Sequence, residues 1–276
     1  MPKLKVSHKT LGKVSANLLA RLQSEGKTIF TIEDARKISQ KDYFGTGDFL
    51  SELVKRNILA RIKSGKYLIL QSGAENTQLK NWPVIARELV LPNPYFISHY
   101  SAMRLHGMTT HPLFDVCVAV PHRLTAKKVS DFKYRFVYCK KEHFWGDEPR
   151  WVTRQEKVQV SDLERTILDG LDRPDLCGGV LEVVRGIWTK KAELNSQKLL
   201  KYAKKFRTKA ALKRLGLILE TLKIKEELAK ELFGMFEDSE DYILLDPASS
   251  KEGKHLKRWH VILNSNLEEL KEGIWA

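Results

Sequence analysis

The sequence predicts an α+β protein in two parts. A small N-terminal domain of three helices and a hairpin precedes a larger mixed α/β domain that turns mainly helical toward its C-terminus. Three observations carry this reading. Apolar residues recur at helical spacing through the first 56 positions and then form two β-like runs around Ser64-Gly65. A polar stretch, QSGAENTQLKN (71–81), follows as a natural boundary. Beyond it, strand-like runs alternate with capped helices, and helical periodicity dominates after Val180. The predicted domains are 1–75 and 82–276 with a linker at 76–81; the second divides into an α/β part (82–179) and a helical part (180–276).

The first domain reads element by element. Leu11, Val14, Leu18 and Leu22 mark an amphipathic helix from Ser7 to about Gln23, ended by Gly26. Thr31 with Asp34 three residues on is a variant capping box, and Ile32, Ala35 and Ile38 give the second helix its buried side. Gly45 and Gly47 break the chain. A third helix, about Thr46 to Arg56, buries Leu50, Leu53 and Val54 and shows Asp48, Ser51, Glu52 and Lys55. Ile58, Leu59 and Ile62 begin a strand, Ser64-Gly65 turns it, and Tyr67, Leu68 and Ile69 return.

Three helices and a hairpin form a winged helix-turn-helix, whose third helix enters the major groove of DNA. The predicted contacts on and before that helix are Lys41, Tyr43, Thr46, Ser51, Lys55 and Arg56. In the wing they are Arg61, Lys63, Ser64 and Lys66, where cations meet phosphates and supply affinity rather than sequence preference. Winged helices also serve as protein-binding modules, and Asp48 and Glu52 keep that alternative open.

Charge favours DNA. The net charge is +14. Residues 1–80 hold 15 Lys/Arg against 7 Asp/Glu (+8), 81–160 hold 12 against 7 (+5), and 161–276 hold 21 against 20 (+1). The positive field belongs to the N-terminal part, as a polyanionic partner requires. Three widely spaced cysteines, Cys117, Cys139 and Cys177, fit neither a disulfide framework nor a zinc site, so a reducing cytosol is expected. The N-terminus lacks an apolar signal region, and no run approaches a membrane span.

In the second domain, WPVIARELVLPNP reads as a short helix closed by prolines. Tyr95-Phe96-Ile97 is strand-like, and Ser98 caps a helix ended by Gly107. DVCVAVPHR and YRFVYC are strands. KVQVSDLERTILDGLDRPDLCGG is a strand, a helix capped by Ser161 with Glu164 three residues on, and a stop. HLKRWHVILN is a last strand.

His99 and His106 lie seven apart on one predicted helix face without an evident third ligand, so no metal or cofactor is expected. Asp162, Glu164, Arg165 and Asp169 crowd one helix start. Either the macrodipole explains the carboxylates, or they belong to a functional polar surface with Arg165 and Arg104. An enzyme is not expected. Asp115 with Glu142 or Glu156 lacks the close spacing of a metal-dependent nuclease, and GxSxG, Walker and HExxH motifs are absent.

The stretches FISHYSAMRLHGM (96–108), VSDLERTILDGLDRPDLCGG (160–179), KAALKRLGLILETL (209–222) and LKRWHVILN (256–264), in this order after a winged helix, resemble the AbiEi family. Its members are antitoxins of bacterial and archaeal toxin–antitoxin systems. The resemblance covers nearly the whole chain. It implies an autorepressor that binds operator DNA and antagonises a nucleotidyltransferase-like toxin, usually without a stable complex. The antitoxin surface expected on this basis comprises Ser98, Arg104, Asp162, Glu164, Arg165, Lys213 and Arg214. A stand-alone transcriptional regulator with a partner- or effector-binding second domain is the alternative.

Overall fold

A computed structural model describes residues 11–70, 77–113, 115–129, 131–154, 156–206, 208–235 and 241–265. Residues 7–10 of the predicted first helix and 71–76 of the predicted boundary lie outside them. The fold is α+β. It divides into two compact units, residues 1–89 with 129–131, and residues 90–128 with 132–276.

The first unit runs α1 (Lys13–Ser24), β1 (Ile29–Thr31), α2 (Ile32–Ser39), α3 (Tyr43–Lys55), β2 (Leu59–Lys63), β3 (Lys66–Ile69) and α4 (Thr77–Val90). Its sheet has the order β1-β3-β2, all antiparallel, with Phe30 opposite Tyr67 and Ala60 opposite Leu68. This is the winged-helix arrangement. Leu18, Leu22, Leu50, Leu53, Phe30 and Tyr67 are buried in one core. Each such side chain contributes about 1.5–3 kcal/mol by leaving water. Leu11 and Val14, expected on the buried stripe, are exposed instead.

Local signals explain the helix starts. The Thr31 hydroxyl accepts from Asp34 N at 3.2 Å while Thr31 N donates to the Asp34 carboxylate at 2.8 Å, the predicted capping box. α3 begins three residues before its predicted start, because Asp42 caps it by accepting from Gly45 N at 2.9 Å. Gly45 is therefore part of the first turn and not a break. A Cβ there would stand 2.6 Å from Asp42 Oδ1, so glycine lets the cap close. At the wing tip Gly65 takes φ +68°, as the predicted turn requires. α4 reaches back to Thr77, so residues 77–81 are helix where a linker was predicted, and the first unit includes most of that helix.

In the second unit the strands are β4 (Phe96–Ile97), β5 (Asp115–Val120), β6 (Lys127–Val129, whose last residue is counted with the first unit), β7 (Phe132–Tyr138), β8 (Asp147–Trp151) and β9 (Lys157–Ser161). They form one sheet, β6-β7-β5-β4-β9-β8. α5 (His99–Leu105) follows β4, and α6 (Leu163–Asp172) follows β9. Then come α7 (Val180–Thr189), α8 (Ser196–Lys205), α9 (Lys209–Leu222) and α10 (Glu226–Phe233). A small sheet of β10 (Ile243–Leu244), β11 (Lys254–Leu256) and β12 (Val261–Leu263) completes it. The helical core gathers Met103, Leu168, Val184, Leu215 and Ile218 around α6, which is buried from Glu164 to Leu171.

At three places in this unit the chain departs from its local sequence signals. β8 was not foreseen, since DEPRW holds a proline and charges; it pairs on one side only, and an edge position tolerates Pro149. The tail is a hairpin and not one strand, because the chain turns at 257–260, where His260 adopts φ +49°. Asp162 caps α6 by accepting from Arg165 N at 2.8 Å, while Ser161 stays in β9 and bonds Thr166 Oγ1 at 2.8 Å.

Candidate nucleic-acid interface

The inner face of α3 carries Thr46, Leu50 and Leu53, one, two and three turns along. The opposite stripe is therefore fixed as Phe44, Asp48, Ser51 and Lys55. Phe44 is 81% exposed and Tyr43 50%, and their rings meet edge to face at 5.9 Å. Lys41, Ser51 and Lys55 are exposed beside them, and Arg56 is half-buried at the helix C-cap. The stripe thus offers an apolar ring, a carboxylate, a hydroxyl and an ammonium along one helix face. The first three suit a thymine methyl, a cytosine amino group and a base edge respectively, and the ammonium suits a phosphate.

Thr46 does not belong to this surface. It is fully buried, and its hydroxyl donates to the Asp42 carbonyl at 2.7 Å. Phe44 does belong and was missed, because a sequence reading that starts the helix at Thr46 leaves it in a loop. Its position off the Thr46–Leu50–Leu53 stripe was the available signal.

In the wing, Arg61 and Ser64 are exposed and Lys63 is half-buried. Lys66 is engaged by the Glu88 carboxylate of α4, which Arg87 also holds at 2.9 Å. Burial raises the Glu88 pKa, but Lys66 and Arg87 outweigh it and leave it below the ordinary value. The cations expected at the wing therefore divide: Arg61 faces solvent, and Lys66 ties β3 to α4.

The residues expected to form a surface on the second unit are mostly interior. Arg104 alone among them is exposed, with Nη1 donating to the Thr109 carbonyl at 3.1 Å. Ser98 is buried beside His99 Nδ1 at 2.8 Å. Asp162 accepts from the Tyr202 hydroxyl at 2.7 Å, and Glu164 from Asn195 N at 3.0 Å. Lys198 bridges both carboxylates, at 3.1 and 2.9 Å. Burial opposes the Lys198 charge, but Glu164 and Asp162 outweigh it and hold its pKa above the ordinary value. Arg165 donates to Asp169 at 2.7 Å and to the carbonyls of His143 and Trp145, each at 3.0 Å, with its guanidinium 4.3 Å over the Trp145 ring. Lys213 donates to the Asp241 carbonyl at 2.5 Å. Arg214 reaches the Leu171 carbonyl at 2.6 Å and the Leu244 carbonyl at 2.9 Å. The sequence treated these charges as surface. They are instead paired interior groups that join α6 to α8, α9 and β10.

The two histidines also part company. His106 is the C-cap of α5; Nε2 donates to the Ser161 carbonyl at 2.7 Å while Arg150 approaches Nδ1 at 3.0 Å. His99 is buried in the left-handed region at φ +52°. Burial pushes its pKa down to about 4, so it is neutral at physiological pH. Among the described residues no three His, Cys, Asp or Glu side chains gather as a metal site, and no helix is long and apolar enough to cross a membrane. The second unit also holds a cleft of about 570 Å³, lined in part by Tyr100, His111, Glu182 and the Asp115–Arg135 ion pair of 2.6 Å.

No family model matches the chain, and no curated protein matches it. Among solved structures it is similar to the crystal structure of the RV2827C protein from Mycobacterium tuberculosis, with a TM-score of 0.72 at 14% identity, covering 98% of this chain and 97% of that one. At that identity the likeness is one of fold.

Proposed function

We propose that the chain is a cytosolic, non-enzymatic, DNA-binding autorepressor and the antitoxin of a toxin–antitoxin operon, acting against a nucleotidyltransferase-like toxin. The observation that carries the DNA reading is the exposed stripe of α3 beside a basic wing. In this reading Phe44, Asp48 and Ser51 read base edges, while Lys41, Lys55 and Arg61 hold phosphates. The antitoxin reading rests on the resemblance to the AbiEi family. With Arg165, Lys213 and Arg214 interior, Arg104 is the cation of the expected set left to meet a partner.

The test has two arms. The chain binds DNA from immediately upstream of its own reading frame in a sequence-specific, salt-dependent manner, measured by fluorescence anisotropy. Co-expression rescues cells from the product of an adjacent nucleotidyltransferase-like frame. Binding with equal affinity to scrambled DNA rejects the repressor role; absence of rescue by folded protein rejects the antitoxin role. The cleft of about 570 Å³ favours a second reading, a stand-alone regulator whose second unit takes an effector.

A further inference from the structure

We infer that a separate cavity of about 340 Å³ in the second unit binds a planar nitrogen heterocycle with an anionic substituent, the chemistry of a purine nucleotide. One wall is a row across three strands of the sheet. Phe96 of β4 pairs with Ala119 of β5, which pairs with Val137 of β7, and all three line the cavity. The small Ala119 stands between two larger neighbours and forms the floor of an apolar trough. The cavity lies in the size range of small-ligand sites.

The facing wall is the stripe Arg165, Asp169 and Asp172 of α6, spaced four and three residues apart. A helix packed on a sheet ordinarily turns apolar side chains to such a face. Here all three are charged. Arg165 and Asp169 are committed to each other, and Arg165 also donates to the His143 and Trp145 carbonyls, which makes the pair a fixed frame. Asp172 takes a hydrogen bond from Thr208, and a carboxylate with four acceptor sites retains capacity for a ligand.

His99 is the independent observation. Its backbone occupies a conformation that non-glycine residues rarely hold, a kind of strain that clusters at ligand sites. Its Nδ1 is beside Ser98 Oγ, while Nε2 has no hydrogen-bond partner among the described residues. A carboxylate and an uncharged imidazole lining one cavity match the adjacent N–H and ring-nitrogen edge of a nucleobase. Trp145 and Phe206 add aromatic lining. Lys140, exposed on the cavity wall and in no ion pair among the described residues, supplies the cation for a phosphate.

Calorimetric titration of the full chain with GMP, AMP, guanosine, adenosine, inorganic phosphate and benzoate tests this. At least one nucleotide binds, more tightly than its nucleoside, phosphate or benzoate. Asp172→Asn weakens both nucleotide and nucleoside roughly tenfold or more. Lys140→Ala weakens only the nucleotide, and it reports even if Asp172→Asn does not fold by circular dichroism. Failure of both nucleotides to bind at millimolar concentration overturns the inference. So does phosphate or benzoate binding as tightly as the nucleotides, or nucleotide affinity unmoved by Lys140→Ala.

Discussion

Arg165 and Asp169 form an ion pair of 2.7 Å, one helical turn apart, with both side chains buried. Removing one partner leaves an uncompensated interior charge. Arg165→Met or Asp169→Leu alone is expected to cost about 3–5 kcal/mol in urea denaturation, and the double variant considerably less than the sum. Additive losses would show that the two charges are not coupled.

The buried His99 makes stability depend on pH. Its pKa falls from 6.5 to about 4 on folding, so the unfolded chain binds the extra proton between those values. Stability from this group is complete above pH 6.5 and is lost as pH falls toward 4, by about 3 kcal/mol in all. His99→Asn, which tolerates the left-handed backbone, flattens the difference between urea midpoints at pH 7 and pH 4.5. An unchanged slope in that variant would assign the acid sensitivity elsewhere.

Two wing cations separate by assay. Arg61→Ala lowers the log–log salt slope of DNA binding by roughly 0.9 and leaves the fold intact. Lys66→Ala leaves Glu88 with Arg87 alone and registers mainly in stability. A larger slope change for Lys66→Ala than for Arg61→Ala would reverse their roles.

Phe44, with 81% of its surface in solvent, packs little in the fold. Phe44→Ala is expected to move stability by no more than ~0.5 kcal/mol. If its ring meets a thymine methyl, the variant loses roughly 1–3 kcal/mol of specific binding, and replacing operator thymines by uracils reproduces part of that loss in the wild type only. Binding and methyl dependence identical to wild type would remove Phe44 from base reading.

Arg104 and Arg214 test which charges reach a partner. Arg104→Glu leaves circular dichroism unchanged and reduces rescue from the toxin. Arg214→Met leaves the Leu171 and Leu244 carbonyls without their donor and costs roughly 1–3 kcal/mol in thermal or chemical unfolding. Rescue lost in a stable Arg214→Met protein, with Arg104→Glu silent, would contradict this division.

Short-range signals made much of the fold legible. Thr31 and Asp34 are three residues apart and complete their capping box alone, and Gly65 supplies a turn that needs no tertiary context. The start of α3 was hidden because Gly45 reads as a breaker unless Asp42 is recognised as its cap. The candidate site was less legible. Arg214 is satisfied by carbonyls 43 and 30 residues away, which no local pattern announces. One signal was present: in ALKRLGLIL the cations Lys213 and Arg214 interrupt a helix that is apolar on every side, and such a helix buries whatever charge it carries.

The edge strand β8 has a bearing on crowding in the cell. Pro149 withholds a backbone donor in the middle of that border, and Glu148 and Arg150 flank it with opposite charges. At the far border β6 presents Lys127 and Lys128, both exposed. A sheet bounded by proline on one side and lysines on the other offers a poor template to a passing strand. The protein can therefore accumulate beside its own nascent copies without its largest sheet seeding edge-to-edge aggregation.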